Sequence, residues 1–368
     1  MNQYFIGVMS GTSMDGIDAT LADFSTSPPR IIKHHSIHFP KTLKSNILTL
    51  CQPSDNELSL MCDVDHQLGH LYAQCVNELL QCSPVSADLV SAIGNHGQTI
   101  RHYPNNQHPY TLQIGDPNIL AWNTGITTVA DFRRKDIAAH GQGAPLVPAF
   151  HHAVFSNTSE DRVILNIGGM ANVSILSKTG DFTGFDTGPG NVLMDAWVQK
   201  HQNTAFDHNG DWANTGEIIP ALLERLLKDP FFTLPPPKST GRELFNQSWL
   251  DKHLSTLPTL EPVDVQATLC ELTATTIASA IQEHAAQNTH VFVCGGGAYN
   301  LCLMNRIRET LTHCTVDSTD ALDVNPQQVE SLAFAWLAKQ TLEKKPGNDP
   351  KTTGADAPVI LGGIYLAN

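Results

Sequence analysis

Four glycine-bearing turns carry most of the chemistry that can be read from this chain. The first is Gly7-Val8-Met9-Ser10-Gly11-Thr12-Ser13-Met14-Asp15-Gly16-Ile17-Asp18, between two strand-like stretches. Glycine lets backbone N–H groups approach a phosphate closely, and the Ser and Thr hydroxyls add donors. The same pattern suits an ordinary hairpin capped by Ser and Thr. Three further turns, Gly168-Gly169, Gly188-Pro189-Gly190 and Gly295-Gly296-Gly297, also follow strand-like runs, and Asn300 opens the helix after the last. One such loop is ambiguous, whereas four at strand ends predict one anion-binding site.

Asp186, in Gly184-Phe185-Asp186-Thr187-Gly188-Pro189-Gly190-Asn191, stands where a strand gives way to a helix N-terminus. A carboxylate there is expected to be open enough to take a proton, as a general base must. Its plain alternative is an Asx-turn or cap. Asp15 and Asp18 are other acidic candidates, better suited to orienting the first loop or a magnesium-bound water. Arg133, Arg134, Lys135 and Asp136 read either as a solvated turn or as a guanidinium site for a carboxylate. Glu330 reads by default as an ordinary helix residue. His66 and His70 have i, i+4 spacing, but Gln67 stands where the HExxH pattern needs Glu, so no metal site is expected. The doublets His34-His35 and His151-His152 show no partner spacing. GxxxxGK[ST], GxGxxG after a strand, and the HRD and DFG pairs are all missing, which disfavours P-loop and protein-kinase mechanisms.

Positioning these residues requires strands that end in the turns. Tyr4–Met9, Ile17–Phe24 and Ile31–Phe39 read as a meander, and Leu43–Leu50 and Asn56–Gln81 as helices. Asp88–Asn95 reads as a buried strand ending in the polar Asn95-His96-Gly97-Gln98. The pattern restarts with strands Val163–Ile167, Asn172–Leu176 and Phe182–Asp186. Helices follow at Val192–His201, Ile218–Leu227 and Gln266–Ala286, then strand Val291–Cys294, helix Asn300–Leu311 and a helix at Val329–Glu343. The two starts suggest an internal duplication, with a boundary between residues 130 and 160 that is drawn at 135/136: an N-terminal lobe 1–135 and a C-terminal lobe 136–368. Residues 344–358, rich in Lys, Pro, Gly, Asn and Asp, read as an exposed loop before an apolar tail, Val359–Leu366, that could pack back on the first lobe.

Bulk properties narrow the partners. The 368 residues, 41% hydrophobic and 16% charged, suffice for two cores and exclude global disorder. A net charge of −14 and no basic cluster longer than 133–135 argue against nucleic acid. An acidic protein that handles phosphate must do so locally, through backbone N–H groups, helix N-termini and placed cations. The eight cysteines form no CxxC pair and read as reduced, mostly buried thiols. No apolar run reaches the ~18 residues of a membrane span, and no basic, apolar leader precedes Tyr4. A cytoplasmic protein is expected.

Turns gripping phosphate from each of two lobes, with a third beneath an adenosine, are the plan of the actin, hexokinase and acetate-kinase superfamily. The stretches Gly7–Asp18, Gly94–His102, Ala130–Phe150, Leu165–Val173, Gly184–Trp197, Pro237–Phe245, Val293–Met304 and Glu330–Trp336 resemble, in order and across the chain, the anhydro-N-acetylmuramic acid kinase family. The resemblance implies an α/β, two-lobed, internally duplicated actin-like ATPase (ribonuclease H-like) fold with a deep interdomain cleft. It implies ATP, bound with Mg2+, on Gly11, Thr12, Ser13, Met14, Asp15, Gly16, Ile17, Asp18, Gly168, Gly169, Gly188, Gly190, Gly295, Gly296, Gly297 and Asn300. It implies a sugar contacted by Glu330, by Arg133 or Arg134, and by His96 and Gln98, with Asp186 as the base that activates water while O6 of the sugar is phosphorylated. A homodimer is implied by analogy. A kinase of an ordinary free sugar, and a non-enzymatic nucleotide switch, are the rival readings.

Overall fold

The computed structural model describes residues 3–11 and 16–367. They form two compact units: residues up to Val154 together with those from Gln328 onward, and Phe155–Gln327. The chain therefore leaves the first unit once and returns to it.

In the first unit the meander is β1 (Tyr4–Met9), β2 (Gly16–Asp23) and β3 (Arg30–His38). Helices α1 (Lys41–Leu50) and α2 (Glu57–Gln81) follow. In α2, Val64, Leu68, Tyr72, Cys75, Val76 and Leu79 are buried, a stripe at helical spacing that packs on the sheet. Next come β4 (Val90–Asn95), β5 (Gln98–Tyr103), β6 (Tyr110–Ile114), α3 (Pro117–Thr124), β7 (Thr128–Ala130), α4 (Arg134–Ala138) and α5 (Val147–Phe155). The β5–β6 ribbon, α3 and β7 were not anticipated. Their runs are short, below the length at which periodicity speaks.

The second unit contains β8 (Arg162–Ile167), β9 (Met170–Leu176), β10 (Phe182–Pro189), α6 (Val192–Gln202), α7 (Pro220–Leu226), α8 (Gln247–Leu254), α9 (Pro262–His284), β11 (His290–Cys294), α10 (Leu301–Thr310) and β12 (Thr315–Ser318). Its core gathers Val163, Leu165, Val173 and Val291 from the sheet and Leu269, Leu272 and Ile277 from α9. The chain then returns to the first unit as α11 (Val329–Leu342), α12 (Pro350–Thr353) and β13 (Gly363–Tyr365).

The sheets read β13-β7-β4-β1-β2-β3 and β10-β9-β8-β11-β12. In each, three antiparallel strands in meander are followed by two that extend the sheet parallel to the first strand. β13 alone is extra, pairing antiparallel with β7. This repeated order and sense is the duplicated ribonuclease H-like arrangement, visible in topology although residue identity between the halves is low.

Helix α11 sits directly on the first sheet. Gly7 and Gly94 are register partners on β1 and β4. A Cβ at Gly7 would overlap the carbonyl oxygen of Ser331, and one at Gly94 that of Phe334. Two side-by-side glycines thus make the flat patch that lets a helix backbone touch strands, which explains glycine inside otherwise apolar strands. Positions 331–338 of α11 are all buried, as expected of a central helix. Ser331 Oγ is pinned to Thr20 Oγ1 at 2.6 Å, and donates to Gln328 O at 3.1 Å.

Two sequence expectations need correction. The boundary at 135/136 falls inside the first unit, which runs on to Val154. Asp136, the first residue past that boundary, is fully buried and bonded to Asn348 and Thr353. For the same reason residues 344–358 are not simply an exposed loop: Asn348, Thr352 and Thr353 are buried, and their polarity serves an internal carboxylate rather than solvent. Of the cysteines, Cys75, Cys270, Cys294 and Cys302 are buried, while Cys62 and Cys82 are exposed. Among the described residues no helix is long and apolar enough to cross a membrane.

Candidate active site

In the second unit the glycine turns are built against one another. The β8–β9 turn, Gly168-Gly169, receives the loop that ends β10: Gly190 N donates to Gly169 O at 2.9 Å, Asn191 N to Gly168 O at 2.8 Å and Val192 N to Gly169 O at 3.1 Å. A Cβ on Gly190 would overlap Gly168 O, so the approach requires glycine. Gly168 itself is open, with Met170 O 3.7 Å from a notional Cβ. Gly295 closes the group from the end of β11, at φ +79°, where a Cβ would lie 2.5 Å from Asn166 Oδ1. Gly297 packs on Ile167, while Gly296 has room. Gly188, at φ +143°, faces the Phe232 ring. Three of the four sequence turns thus converge at the ends of β8, β10 and β11, a clustering of loops that suits an anion.

Asp186 lies in β10 rather than at its end, because the strand runs on to Pro189. A bulge places Thr187 between the pairs Asp186–Asn172 and Gly188–Ala171, a device that re-aims a strand beside a site. The carboxylate is less open than expected, the residue being 7% exposed. Residues 238–240 cover it: Thr240 N donates to Oδ2 at 2.8 Å, and Asp186 N donates to Lys238 O at 3.1 Å. That amide holds one oxygen in place, which orients the other.

Lys238 was missed as an individual residue. Its ammonium donates to Phe231 O and Phe232 O, both at 3.2 Å, and lies 4.9 Å from the Phe231 ring centroid. Burial pushes its pKa down, while Glu283 and Asp186 pull it back up. A lone lysine after the apolar, proline-rich run Phe231–Pro237 was the available signal.

The first unit gathers side chains instead. At the end of β4, Asn95 Oδ1 accepts from Gly97 N at 3.2 Å, and Gly97 turns at φ +75°. This turn brings His96 and Gln98 side by side, both buried. The His96 ring packs 4.7 Å from Phe334 of α11, tying the strand end to the helix whose first turn carries Glu330. Arg133 Nε donates to His96 Nε2 at 3.0 Å, and Arg133 Nη1 to Gly143 O at 2.8 Å. That ring nitrogen therefore accepts, and the imidazole is neutral. Burial, then the Arg133 charge, holds the His96 pKa well below the usual range. Gln98 Nε2 makes long contacts, 3.5 Å to Gly11 O and 3.4 Å to Thr99 O, while its buried Oε1 has no hydrogen-bond partner among the described residues.

Other sequence candidates are placed less directly. Ile17 is fully buried in the core, so only its backbone could meet a nucleotide. Asp18 accepts from Ser36 Oγ at 2.5 Å and lies 3.5 Å from His34 Nε2, across the β2–β3 pair. Gly16 lies against Ile37 O, and Ser10, between the first two glycines, is committed to the Tyr72 hydroxyl at 2.8 Å. Asn300 caps α10, accepting from Leu303 N at 3.0 Å. Arg134 is 66% exposed and pairs with Asp131 at 3.3 Å. Thr12, Ser13, Met14 and Asp15 lie outside the described residues. The His66 and His70 rings meet at a tilt on α2, with centroids 4.7 Å apart, and among the described residues no three His, Cys, Asp or Glu side chains form a metal-binding group.

Similarity to known proteins runs the length of the chain. Residues 3–367 match the family model described as anhydro-N-acetylmuramic acid kinase. The chain is 49% identical over 363 residues to the anhydro-N-acetylmuramic acid kinase of Pasteurella multocida, covering 98% of this chain and 96% of that one. It is 48% identical over 368 residues to that of Shewanella pealeana, covering all of both. It is 50% identical over 366 residues to that of Saccharophagus degradans, covering 98% of each. The chain belongs to the anhydro-N-acetylmuramic acid kinase family.

Proposed function

We propose that this protein is an ATP-dependent kinase that converts 1,6-anhydro-N-acetylmuramic acid and water to N-acetylmuramic acid 6-phosphate, with release of ADP. The observation that carries it is the family match from residue 3 to residue 367. In the reaction Asp186 takes a proton from the water that attacks C1. The C1–O6 bond breaks, and O6 takes the γ-phosphoryl group as ADP leaves. Cleavage unmasks the nucleophile, so no separate acid is needed to protonate the bridge oxygen. Mg-ATP is the second substrate, held by the turns at 168–169, 188–190 and 295–297 and by the first loop, Gly11 to Gly16. Backbone N–H groups stabilise the charge that develops on the transferring phosphoryl.

Arg133, rather than Arg134, reads the lactyl carboxylate: its guanidinium is held at Nε and Nη1, whereas Arg134 pairs with Asp131 at the surface. A held guanidinium loses less entropy on forming a two-pronged carboxylate contact. The partnerless Oε1 of Gln98 suits a sugar hydroxyl or amide N–H, and His96 and Glu330 complete the sugar side. The setting is recycling of cell-wall amino sugar in the cytoplasm, by a homodimer.

A coupled ADP-release assay over anhydro and open amino sugars tests the reading. Release should require the anhydrosugar, and the product should be heavier than it by one water and one phosphoryl. Oxygen-18 placed in the anhydro bridge should end in the C6–O–P linkage. ADP release with an open sugar but not the anhydro form overturns the proposal in favour of an ordinary sugar kinase.

A further inference from the structure

We propose that Asp136, together with Asn348 and Thr353 from the returning segment, is a positioning device that aims Arg133 at the sugar's carboxylate. The inference rests on the assignment of Arg133 above and extends it to residues that touch no substrate.

Asp136 is completely buried in α4. Its Oδ1 accepts from Asn348 Nδ2 at 2.6 Å and from Thr353 Oγ1 at 2.7 Å. Its Oδ2 accepts from Gly143 N at 2.7 Å. The carbonyl of that same Gly143 accepts Arg133 Nη1 at 2.8 Å. A chain of hydrogen bonds therefore runs from α12, through one carboxylate and the two peptide groups that meet at the Gly143 Cα, to the guanidinium, and from Arg133 Nε to His96.

The local sequence is cut to fit this path. A Cβ on Gly141 would overlap Asp136 Oδ2, and Gly143 stands at φ +71° with Ile137 Cγ1 3.0 Å from a notional Cβ. The far end is fixed as well, since Asn348 Oδ1 accepts from Val359 N at 2.7 Å. Burying a carboxylate is unfavourable unless its acceptor positions are filled. Asn348, Thr353 and Gly143 N fill three of them, so the carboxylate is held in place and in turn anchors the backbone at Gly143 by its N–H. Because Arg133 donates to the carbonyl on the other side of the same Cα, a shift of Gly143 would swing the guanidinium away from any carboxylate it must meet in two-pronged geometry.

A purely structural role would predict something different: loss of these bonds would lower stability, or shift all kinetic constants together. The test uses Thr353→Val, which keeps shape and removes one donor, and Asn348→Ala, which removes another. Dissociation constants are measured for 1,6-anhydro-N-acetylmuramic acid and for 1,6-anhydro-N-acetylglucosamine, which lacks the lactyl carboxylate, alongside KM for ATP. Each variant should weaken the carboxylate-bearing sugar by about tenfold, the scale of one charge-assisted hydrogen bond. KM for ATP and the affinity for the sugar without the carboxylate should stay within about twofold of the parent.

Arg133→Ala serves as the reference. It should abolish discrimination between the two sugars, and adding Thr353→Val to it should cost nothing further, since the two act through one contact. If Arg133→Ala leaves discrimination intact, the carboxylate assignment fails. If Arg133→Ala abolishes it but folded Thr353→Val and Asn348→Ala do not reduce it, the positioning proposal fails alone. If one variant does not fold, the other decides. Failure of both to fold assigns the cluster to stability and overturns the proposal.

Discussion

The two units share one strand order and use it in opposite ways. In the second, the ends of β8, β10 and β11 present backbone, with Gly190 pressed on Gly168 and Gly295 on Asn166, and the buried Asp186 on β10. In the first, the end of β4 presents side chains, His96 and Gln98, joined there by Arg133, and the unit's glycines Gly7 and Gly94 serve the packing of α11. Backbone suits a phosphate chain, whose charge is repetitive and needs close donors. Side chains suit a sugar, whose groups are few and individually placed. Duplication of a fold supplies two strand-end sites, and the residue types at those ends decide what each can hold.

That contrast predicts effects of graded size. Asp186→Asn keeps the shape of the proposed base but cannot take a proton. Turnover should fall by about 10²–10⁴ with ATP affinity nearly unchanged, as single-turnover kinetics and nucleotide titration would reveal. A loss below about tenfold removes Asp186 as the base.

Gly94→Ala should act on stability rather than on nucleotide binding. Pushing a methyl into Phe334 O separates α11 from the sheet, at a cost of about 1–3 kcal/mol, measured as a shift in urea midpoint. An unchanged midpoint would show that the helix does not sit on the strands as described.

A smaller effect follows from histidines. His96, His102 and His151, the ones whose pKa values fall furthest, all belong to the first unit. Burial, and then Arg133, brings His102 from 6.5 to about 4. A group held neutral in the fold but free to protonate when unfolded gives full stability above pH 6.5, and that stability is lost as pH falls from 6.5 toward 4. Between pH 7.5 and pH 5, His102→Gln should therefore lose about 1–2 kcal/mol less than the parent. Amide exchange at pH 5 should also quicken in the first unit before the second. Equal acid sensitivity of parent and variant, or earlier opening of the second unit, contradicts this.

The finest test separates neighbouring glycines. Gly190→Ala should raise KM for ATP by about tenfold by forcing two loops apart, whereas Gly168→Ala, whose methyl has room, should change it less than about threefold. Equal effects would mean that the turns do not touch the nucleotide through this packing.

Much of this was readable from residues because strong local signals agree with the fold. The apolar runs at Tyr4–Met9, Val163–Ile167 and Val291–Cys294 are strands, and the periodic Asn56–Gln81 is a helix to within a residue. What escaped depends on contacts distant in sequence. Asp136 looks like the end of a basic turn until residues 212 and 217 positions away reach it. Nothing local shows that residues 238–240 fold over Asp186, or which of two adjacent arginines turns inward. Gly7 and Gly94 looked like phosphate-loop and strand-end glycines, and their packing role appears only once α11 is placed.

The return of the chain to its first unit bears on how the molecule is made. The second unit is one unbroken stretch, Phe155–Gln327, and everything it needs has been synthesised once β12 and the loop after it are made. The first unit must wait for α11 to cover Gly7 and Gly94, for Thr353 and Asn348 to reach Asp136, and for β13 to join β7. Its apolar sheet face is therefore the last to be covered although its strands are the first to be made, which reverses the usual N-to-C order of domain folding. Released chains that end at residue 327 should carry a folded second unit and an open first one, and that open sheet is the surface a chaperone would meet.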